Sequence, residues 1–268
     1  MKIGIVGCAG RMGQMLVREV LKTDGAQLAG GTEREGSPNI GRDLGALVGT
    51  ENAGVTITSD TRALFNAADA VIDFTRPEPT MAHARLAAET GTALVIGTTG
   101  LSADQEAEIT ALAGKTPIVL APNMSVGVNL LFALTQKVAA TLGIDYDIEI
   151  VEMHHRHKVD APSGTALGLG RAAAAGRKVP LDDVAVWARE GHTGPRKAGD
   201  IGFATLRGGD VVGDHTVVFA ADGERVELTH KASDRAVFAK GAVRAALWCE
   251  NRPAGRYSMF DVLGLSEG

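Results

Sequence analysis

The first forty residues restrict the fold more than any other stretch. Lys2 to Val6 is a short, apolar, β-prone run, and Gly7-Cys8-Ala9-Gly10-Arg11-Met12-Gly13 follows it. An amphipathic stretch then reaches Leu21, with Met12, Leu16, Val20 and Leu21 on one side. This is strand, glycine turn and helix. Ala26 to Thr32 reads as a second strand ending at Glu33-Arg34, and Glu33 lies twenty residues beyond Gly13. A dinucleotide fold places its ribose-holding acid at about that distance. The glycine spacing is GxxGxxG rather than GxGxxG, and a glycine triplet also suits a plain α/β turn with tight helix packing. The strand before, the helix after and the acid beyond favour dinucleotide binding over that plainer reading.

The alternation continues. Val55–Thr58 and Ala70–Phe74 read as strands, Thr80–Glu89 as a helix, and Ala93–Ile96 as a strand. Ser102–Ala113 reads as a helix opened by a near capping box, and Pro117–Leu120 as a strand. Apolar strands separated by helices predict a parallel sheet covered on both faces, with ligands at the C-terminal ends of its strands. Three loops fall there: Gly7–Gly13, Gly97-Thr98-Thr99-Gly100 and Ala121-Pro122-Asn123-Met124.

After a long helix from Ser125 to Leu142 the pattern changes. Asp147–Met153, Asp183–Ala188, Ile201–Arg207, His215–Ala220 and Arg225–His230 all read as strands, interrupted by a single helix over Ser163–Ala175. Asp222-Gly223 is a hairpin signal. The second half is expected to be an α+β domain with a largely antiparallel or mixed sheet. A last helix, Asp234–Glu250, is expected to return to the first domain. Gly176–Pro180 and Gly191–Gly199 read as loops.

The basic cluster of the second half carries the chemistry. His154, His155, Arg156, His157 and Lys158 are consecutive in a chain of net charge −5, so they are a local feature on an acidic background. Pro162-Ser163-Gly164-Thr165 follows as a helix start with Ser163 as its cap. A helix N-terminus favours an anion, and imidazoles move protons near neutral pH. Together they point to a small, multiply negative substrate and acid–base chemistry on it. A solvated basic face is the plainer alternative. Zinc is another, given three nearby histidines, but no cysteine lies close and Arg156 and Lys158 would repel a cation, so no metal is expected.

The net charge argues against a nucleic-acid binder. No apolar run reaches the eighteen or so residues of a membrane span, and glycines and Arg11 interrupt any signal-peptide core. Two cysteines far apart, Cys8 and Cys249, suit a reducing compartment, so a cytoplasmic protein without a membrane partner is expected. Cys8 reads as a small filler, since no base adjoins it. Glu33 beside Arg34 leaves NADH and NADPH both open: the acid suits ribose hydroxyls, and the arginine suits adenine, a 2′-phosphate or simply solvent. Gly97–Gly100 either lines a nicotinamide site or is a loop of small residues. Asn123 either meets a carboxamide or caps the helix at Ser125.

GCAGRMG, EREGS, GTTG, APNMSVGVN and above all EMHHRHKVDAPSGTA closely resemble the dihydrodipicolinate reductase (4-hydroxy-tetrahydrodipicolinate reductase) family, over residues 2 to about 250. The resemblance implies a Rossmann-like domain over 1–125 and 234–268, and an inserted α+β domain over 126–233 for substrate and oligomer contacts, in a homotetramer. It implies NADH- or NADPH-dependent reduction of a small cyclic dicarboxylate in lysine and diaminopimelate synthesis. Gly7, Cys8, Ala9, Gly10, Arg11 and Met12 would hold the pyrophosphate, and Glu33 and Arg34 the adenosine half. Gly97, Thr98, Thr99, Ala121, Pro122, Asn123 and Met124 would border the nicotinamide. His154 and Lys158 would be proton donors, His155 a substrate contact, and Gly164 and Thr165 the grip on a carboxylate. Met124 stands where the resemblance leads one to expect an aromatic residue, and Gly176–Gly199 matches no motif. Another amino-acid dehydrogenase, such as one acting on aspartate, and a non-catalytic dinucleotide sensor would share the glycine turn. Neither explains the His154–Thr165 cluster as well.

Overall fold

The computed structural model describes residues 1–265. In chain order the elements begin with β1 (Lys2–Val6), α1 (Arg11–Lys22), β2 (Gln27–Thr32), α2 (Leu44–Leu47), β3 (Ile57–Thr58), α3 (Thr61–Ala67), β4 (Ala70–Asp73), α4 (Pro77–Thr90), β5 (Ala93–Ile96), α5 (Ala103–Leu112) and β6 (Pro117–Leu120). They continue with α6 (Val126–Thr141), β7 (Asp147–His154), α7 (Gly164–Gly176), α8 (Leu181–Val184), β8 (Ala185–Val186), β9 (Ile201–Arg207), β10 (Gly213–Ala221), β11 (Glu224–Ala232), α9 (Ala236–Trp248), β12 (Gly255–Tyr257) and α10 (Met259–Leu263). The chain forms two compact units, Met1–Val126 with Ala236–Gly268, and Gly127–Arg235. Residues 266–268, the end of the expected 234–268 segment, lie outside the described residues.

The first unit is a seven-stranded sheet in the order β12-β6-β5-β4-β1-β2-β3, parallel at every pairing. Residues alternate between two cores because side chains alternate along a strand. Ile3, Ile5, Ile72, Val95 and Val119 pack with Leu16 and Val20 of α1 and with Ala239, Ala242 and Val243 of α9. Val6, Val71, Leu94, Ile96 and Ile118 pack on the other face with Leu64, Phe65, Met81 and Ile109. The strand order runs outward in opposite directions from β1 and β4, and that reversal opens a crevice at their C-terminal ends.

The second unit is a mixed five-stranded sheet in the order β11-β10-β7-β9-β8. β10 is antiparallel to β7 and β11, while β7, β9 and β8 run parallel. Its core joins Ile148, Ile150, Ile201, Phe203, Val217 and Phe219 to Leu131, Ala166, Leu169 and Ala173. The hairpin at Asp222-Gly223 closes with Ala221 paired to Glu224, and Gly223 takes the left-handed φ of 85° that the turn requires.

Several elements differ from the sequence reading. Leu21 is exposed on α1, and Val17 takes the buried place expected for it. The strand expected over Val55–Thr58 shrinks to two residues. The strand expected over Asp183–Ala188 is a helical turn and a two-residue strand, because Pro180 with Asp182 and Asp183 makes a favourable helix start. Four elements went unread: α2, α3, β12 and α10. All are too short for periodicity to register, although α3 has an Asp60 cap accepting the Ala63 N–H. Among the described residues no helix is long and apolar enough to cross a membrane.

Candidate functional site

In the first unit the glycine turn folds tightly onto itself. Gly7 is left-handed, with φ 65°, and its N–H and that of Cys8 both donate to the Thr32 carbonyl, at 2.8 and 3.2 Å. Gly13 packs so closely that a Cβ there would lie 2.2 Å from the Gly7 carbonyl oxygen. The Ala9 N–H donates to Glu33 Oε1 at 2.8 Å, which fastens the turn to the acid after β2. α1 starts at Gly10 without a side-chain cap. Its positive end is therefore not filled by one of the protein's own side-chain acceptors, as suits a phosphate site. The cleft beside it, about 800 Å³, is lined by Gly7, Gly10, Glu33, Arg34, Phe74, Arg76 and His83 among others. Arg11 and Arg34 are exposed. Cys8 is fully buried, and burial with the Glu33 charge pushes its thiol up to about 12, so it is a filler and not a nucleophile.

A buried network holds the second loop. Asp73, at the end of β4, accepts from Thr75 N–H at 2.7 Å, from the Thr75 hydroxyl at 2.6 Å and from His83 Nδ1 at 2.7 Å. Burial alone would raise its pKa, but His83 and Thr75 outweigh that and hold the carboxyl below its ordinary range. Thr80 donates to Thr98 Oγ1 at 2.9 Å, and the Thr98 hydroxyl lies 3.4 Å from Asp73. The Thr98 side chain is thus turned inward to anchor Gly97–Gly100, while Thr99 and Gly100 are exposed. In the third loop Asn123 Oδ1 accepts the Ser125 N–H at 2.8 Å, just before α6. Ala121 is buried and Pro122 exposed. Met124 is 1% exposed and belongs to the core with α9, where Gly241 sits against its carbonyl. An aromatic ring is not needed there for packing.

In the second unit β7 alternates strictly, burying Ile148, Ile150, Glu152 and His154 on one face. The face that carries isoleucines thus ends in a carboxylate and an imidazole, beneath the start of α7. A buried carboxylate needs partners, and Glu152 has four close donors. His154 Nδ1 lies 2.6 Å from its Oε2, Arg207 contributes two bonds at 2.8 and 3.0 Å, and the Ser163 N–H donates at 3.0 Å. Register explains this: on β9 Arg207 stands beside His154, and on β10 His215 stands opposite Glu152. Burial would raise the Glu152 carboxyl, but Arg207, His154 and Ser163 together hold it below the ordinary range.

Ser163 caps α7 by accepting the Ala166 N–H at 3.1 Å, and its hydroxyl lies 3.0 Å from His215 Nε2. The His215 ring is 5.0 Å from that of His154, edge to face. Burial, then the neighbouring His154, pushes His215 down to about 4, so it is neutral at physiological pH. Gly213 leaves room for His154: a Cβ there would sit 3.0 Å from Nε2. Lys158 pairs with Asp160 at 2.8 Å, and Gly164 faces open space. His155 Nδ1 accepts the His157 N–H, and burial beside Arg235 lowers its pKa. Among the described residues no three His, Cys, Asp or Glu side chains are placed to hold a metal ion. Gly176–Gly199, without a motif in sequence, is tied to β7 by Arg189 and Arg196 on Glu149 and by Arg196 on Asp147.

The sequence reading missed Asp73, His83, Glu152, Arg207 and His215. Glu152 was legible, since positions two apart on a strand share a face. Arg207 and His215 depend on sheet register, and the Asp73–His83 pair on how α4 packs after β4.

A parallel sheet with a glycine turn at its switch point, joined in one chain to a second unit carrying a carboxylate-held histidine, defines a nicotinamide-dinucleotide oxidoreductase of the Rossmann class. The comparisons make this particular. Residues 1–124 match the model of the dihydrodipicolinate reductase N-terminus, and residues 127–263 that of its C-terminus. The chain is 56% identical over 263 residues to the 4-hydroxy-tetrahydrodipicolinate reductase of Ruegeria sp. (strain TM1040), covering 98% of both chains. It is 56% identical over 265 residues to that of Polynucleobacter necessarius subsp. necessarius (strain STIR1), covering 99% of both. Among solved structures, the dipicolinate-bound dihydrodipicolinate reductase from Paenisporosarcina sp. TG-14 superposes with a TM-score of 0.78 at 23% identity, over 97% of this chain and 98% of that one. This chain belongs to the dihydrodipicolinate reductase family.

Proposed function

We propose that this chain reduces 4-hydroxy-tetrahydrodipicolinate to tetrahydrodipicolinate with NADH or NADPH, within lysine and diaminopimelate synthesis. The observation that carries the reading is the Glu152 carboxylate, which bonds the His154 ring and the Ser163 N–H together. One acid thus sets a proton-carrying imidazole beside a helix start suited to a carboxylate.

The roles are those the resemblance implies, and the geometry is consistent with them. Gly7, Cys8, Ala9, Gly10, Arg11 and Met12 would hold the pyrophosphate through backbone and helix end. Glu33, beside its bond to Ala9, has a second oxygen suited to ribose hydroxyls, and the exposed Arg34 next to it suits a 2′-phosphate, which supports acceptance of both cofactors. Gly97, Thr98, Thr99, Ala121, Pro122, Asn123 and Met124 border the nicotinamide by backbone more than by side chain, since Thr98 and Met124 point inward. When bound, the dihydronicotinamide supplies hydride. His154 gives a proton from Nε2 to the substrate, and Lys158 adds a cation and a second donor. His155, Gly164 and Thr165 take the substrate's carboxylates. The resemblance also implies a homotetramer and a cytoplasmic location. The β11 strand, exposed along most of its length at the sheet edge, suits contact with a second copy, and sedimentation would read the oligomer.

The test is a coupled assay. The condensation product of pyruvate and aspartate semialdehyde is supplied, and dihydronicotinamide absorbance is followed. Consumption with either cofactor is expected. Folded, cofactor-binding protein that consumes none would overturn the reading. The dicarboxylate part is tested by calorimetry: pyridine-2,6-dicarboxylate should bind more tightly than pyridine-2-carboxylate, and equal affinity would refute two-ended recognition.

A further inference from the structure

We infer that Glu152 is a positioning residue that fixes the tautomer of His154, so that Nε2 is the nitrogen that delivers the proton. The inference rests on the reading of His154 as a proton donor.

The geometry leaves one arrangement. A carboxylate 2.6 Å from Nδ1 accepts a hydrogen bond, so Nδ1 carries a proton in both the neutral and the charged ring. The proton exchanged is then that of Nε2. Gly213 stands against this nitrogen, and the absence of a side chain there keeps it uncrowded. Glu152 cannot swing away, because Arg207 grips both its oxygens and the Ser163 N–H donates to Oε1. The carboxylate is 1% exposed, so its charge acts on His154 with little screening by water.

The groups around His154 single out Glu152. On β9, Arg207 is a donor only and cannot accept from the ring. On β10, His215 is neutral. In the following loop, Lys158 and Asp160 offset one another at 2.8 Å. Glu152, from the same strand, is the acid in hydrogen-bond contact with the ring, and it outlasts proton delivery by holding the neutral Nδ1–H form that remains.

Two measurements test this. In wild-type holoenzyme labelled with ¹⁵N-histidine, with His154→Ala identifying the resonance, the neutral His154 ring should carry its proton on Nδ1. A neutral ring protonated on Nε2 overturns the inference. This readout needs no turnover, so it stands apart from the reductase reading, and it needs no variant at Glu152. In Glu152→Gln the amide keeps the shape but not the charge. The amide nitrogen set against Nδ1 donates instead of accepting, so the neutral His154 ring should move its proton to Nε2, and kcat should fall about ten- to hundredfold. Affinity for pyridine-2,6-dicarboxylate should stay within a few-fold, because the amide oxygen still accepts from Ser163. A neutral ring that keeps its proton on Nδ1 in the folded variant overturns the inference, because a residue that only supports the fold would leave the tautomer unchanged.

Discussion

Glu33 Oε1 accepts the Ala9 N–H at 2.8 Å, so the acid that ends β2 also fastens the glycine turn after β1. One carboxylate thereby shapes the glycine turn and, in the proposed function, has its other oxygen for a ribose. Glu33→Ala removes both. Hydrogen bonds to charged groups contribute about 1.5–3 kcal/mol, so NADH affinity should fall roughly ten- to hundredfold. NADPH should lose less, because the carboxylate opposes a 2′-phosphate. Arg34→Ala should act in reverse, weakening NADPH more than NADH. Fluorescence titration with each cofactor measures this. Equal losses for both cofactors in Glu33→Ala would confine its effect to the loop.

Two glycines should separate packing from binding. A Cβ at Gly13 would lie 2.2 Å from the Gly7 carbonyl oxygen and 2.7 Å from the Cys8 backbone, which cannot yield without opening the turn. Overpacking of this kind costs about 1–3 kcal/mol. Gly13→Ala should therefore lower Tm by several degrees and weaken both cofactors. At Gly164 a Cβ meets nothing within 4 Å. Gly164→Ala should keep Tm, since alanine favours the helix, and weaken only the dicarboxylate. Thermal melts beside calorimetry decide it. A Gly13→Ala variant with wild-type Tm would show that the turn relaxes freely.

What the sequence made legible was what depends on local pattern. The apolar runs of β1, β4, β5 and β6 mark their strands because each is buried on both faces, and the Ser102 capping box marks α5 because both of its bonds lie within four residues. The His154–Lys158 run reads on charge alone as a solvated face, and the strand before it and the helix start after it are what made it a candidate site. The partners of Glu152 and Ser163 were hidden. Arg207 and His215 lie 53 and 61 residues from His154 and come beside it only through the pairing of β9 and β10 with β7. The inward turn of Thr98 likewise depends on Asp73 on a different strand, which a motif of small residues cannot reveal.

The two cysteines make a pH prediction. Burial, with Glu33 near Cys8, pushes both thiols from an ordinary value of 9.0 up to about 12. A raised folded value means that the contribution to stability is complete below pH 9 and is lost as pH rises through about 12. Neither thiol should react with an aromatic disulfide reagent at pH 8 until denaturant is added. The urea midpoint should fall more steeply from pH 9 to 11 in wild type than in the Cys8→Ala, Cys249→Ala double variant. Rapid native-state labelling at pH 8 would show at least one thiol to be accessible.

The remaining prediction divides the labour within the cluster. His154 is locked by Glu152, whereas Lys158 is held by a partly exposed ion pair to Asp160. A general acid contributes about 10²–10⁴ in rate, so His154→Ala should lower kcat by that order and leave KM near wild type. Lys158→Ala should lower kcat too, and should also raise KM, because it leaves Asp160 uncompensated beside a site for anions. Thr165 would hold a carboxylate whose charge is the same before and after reduction, so Thr165→Val should chiefly raise KM. Cofactor affinity should be unchanged in all three, since the glycine turn is untouched. Steady-state kinetics and cofactor titrations on each variant supply the comparison. If His154→Ala and Lys158→Ala both kept kcat within a few-fold, the cluster would serve binding alone and the proton would come from another group.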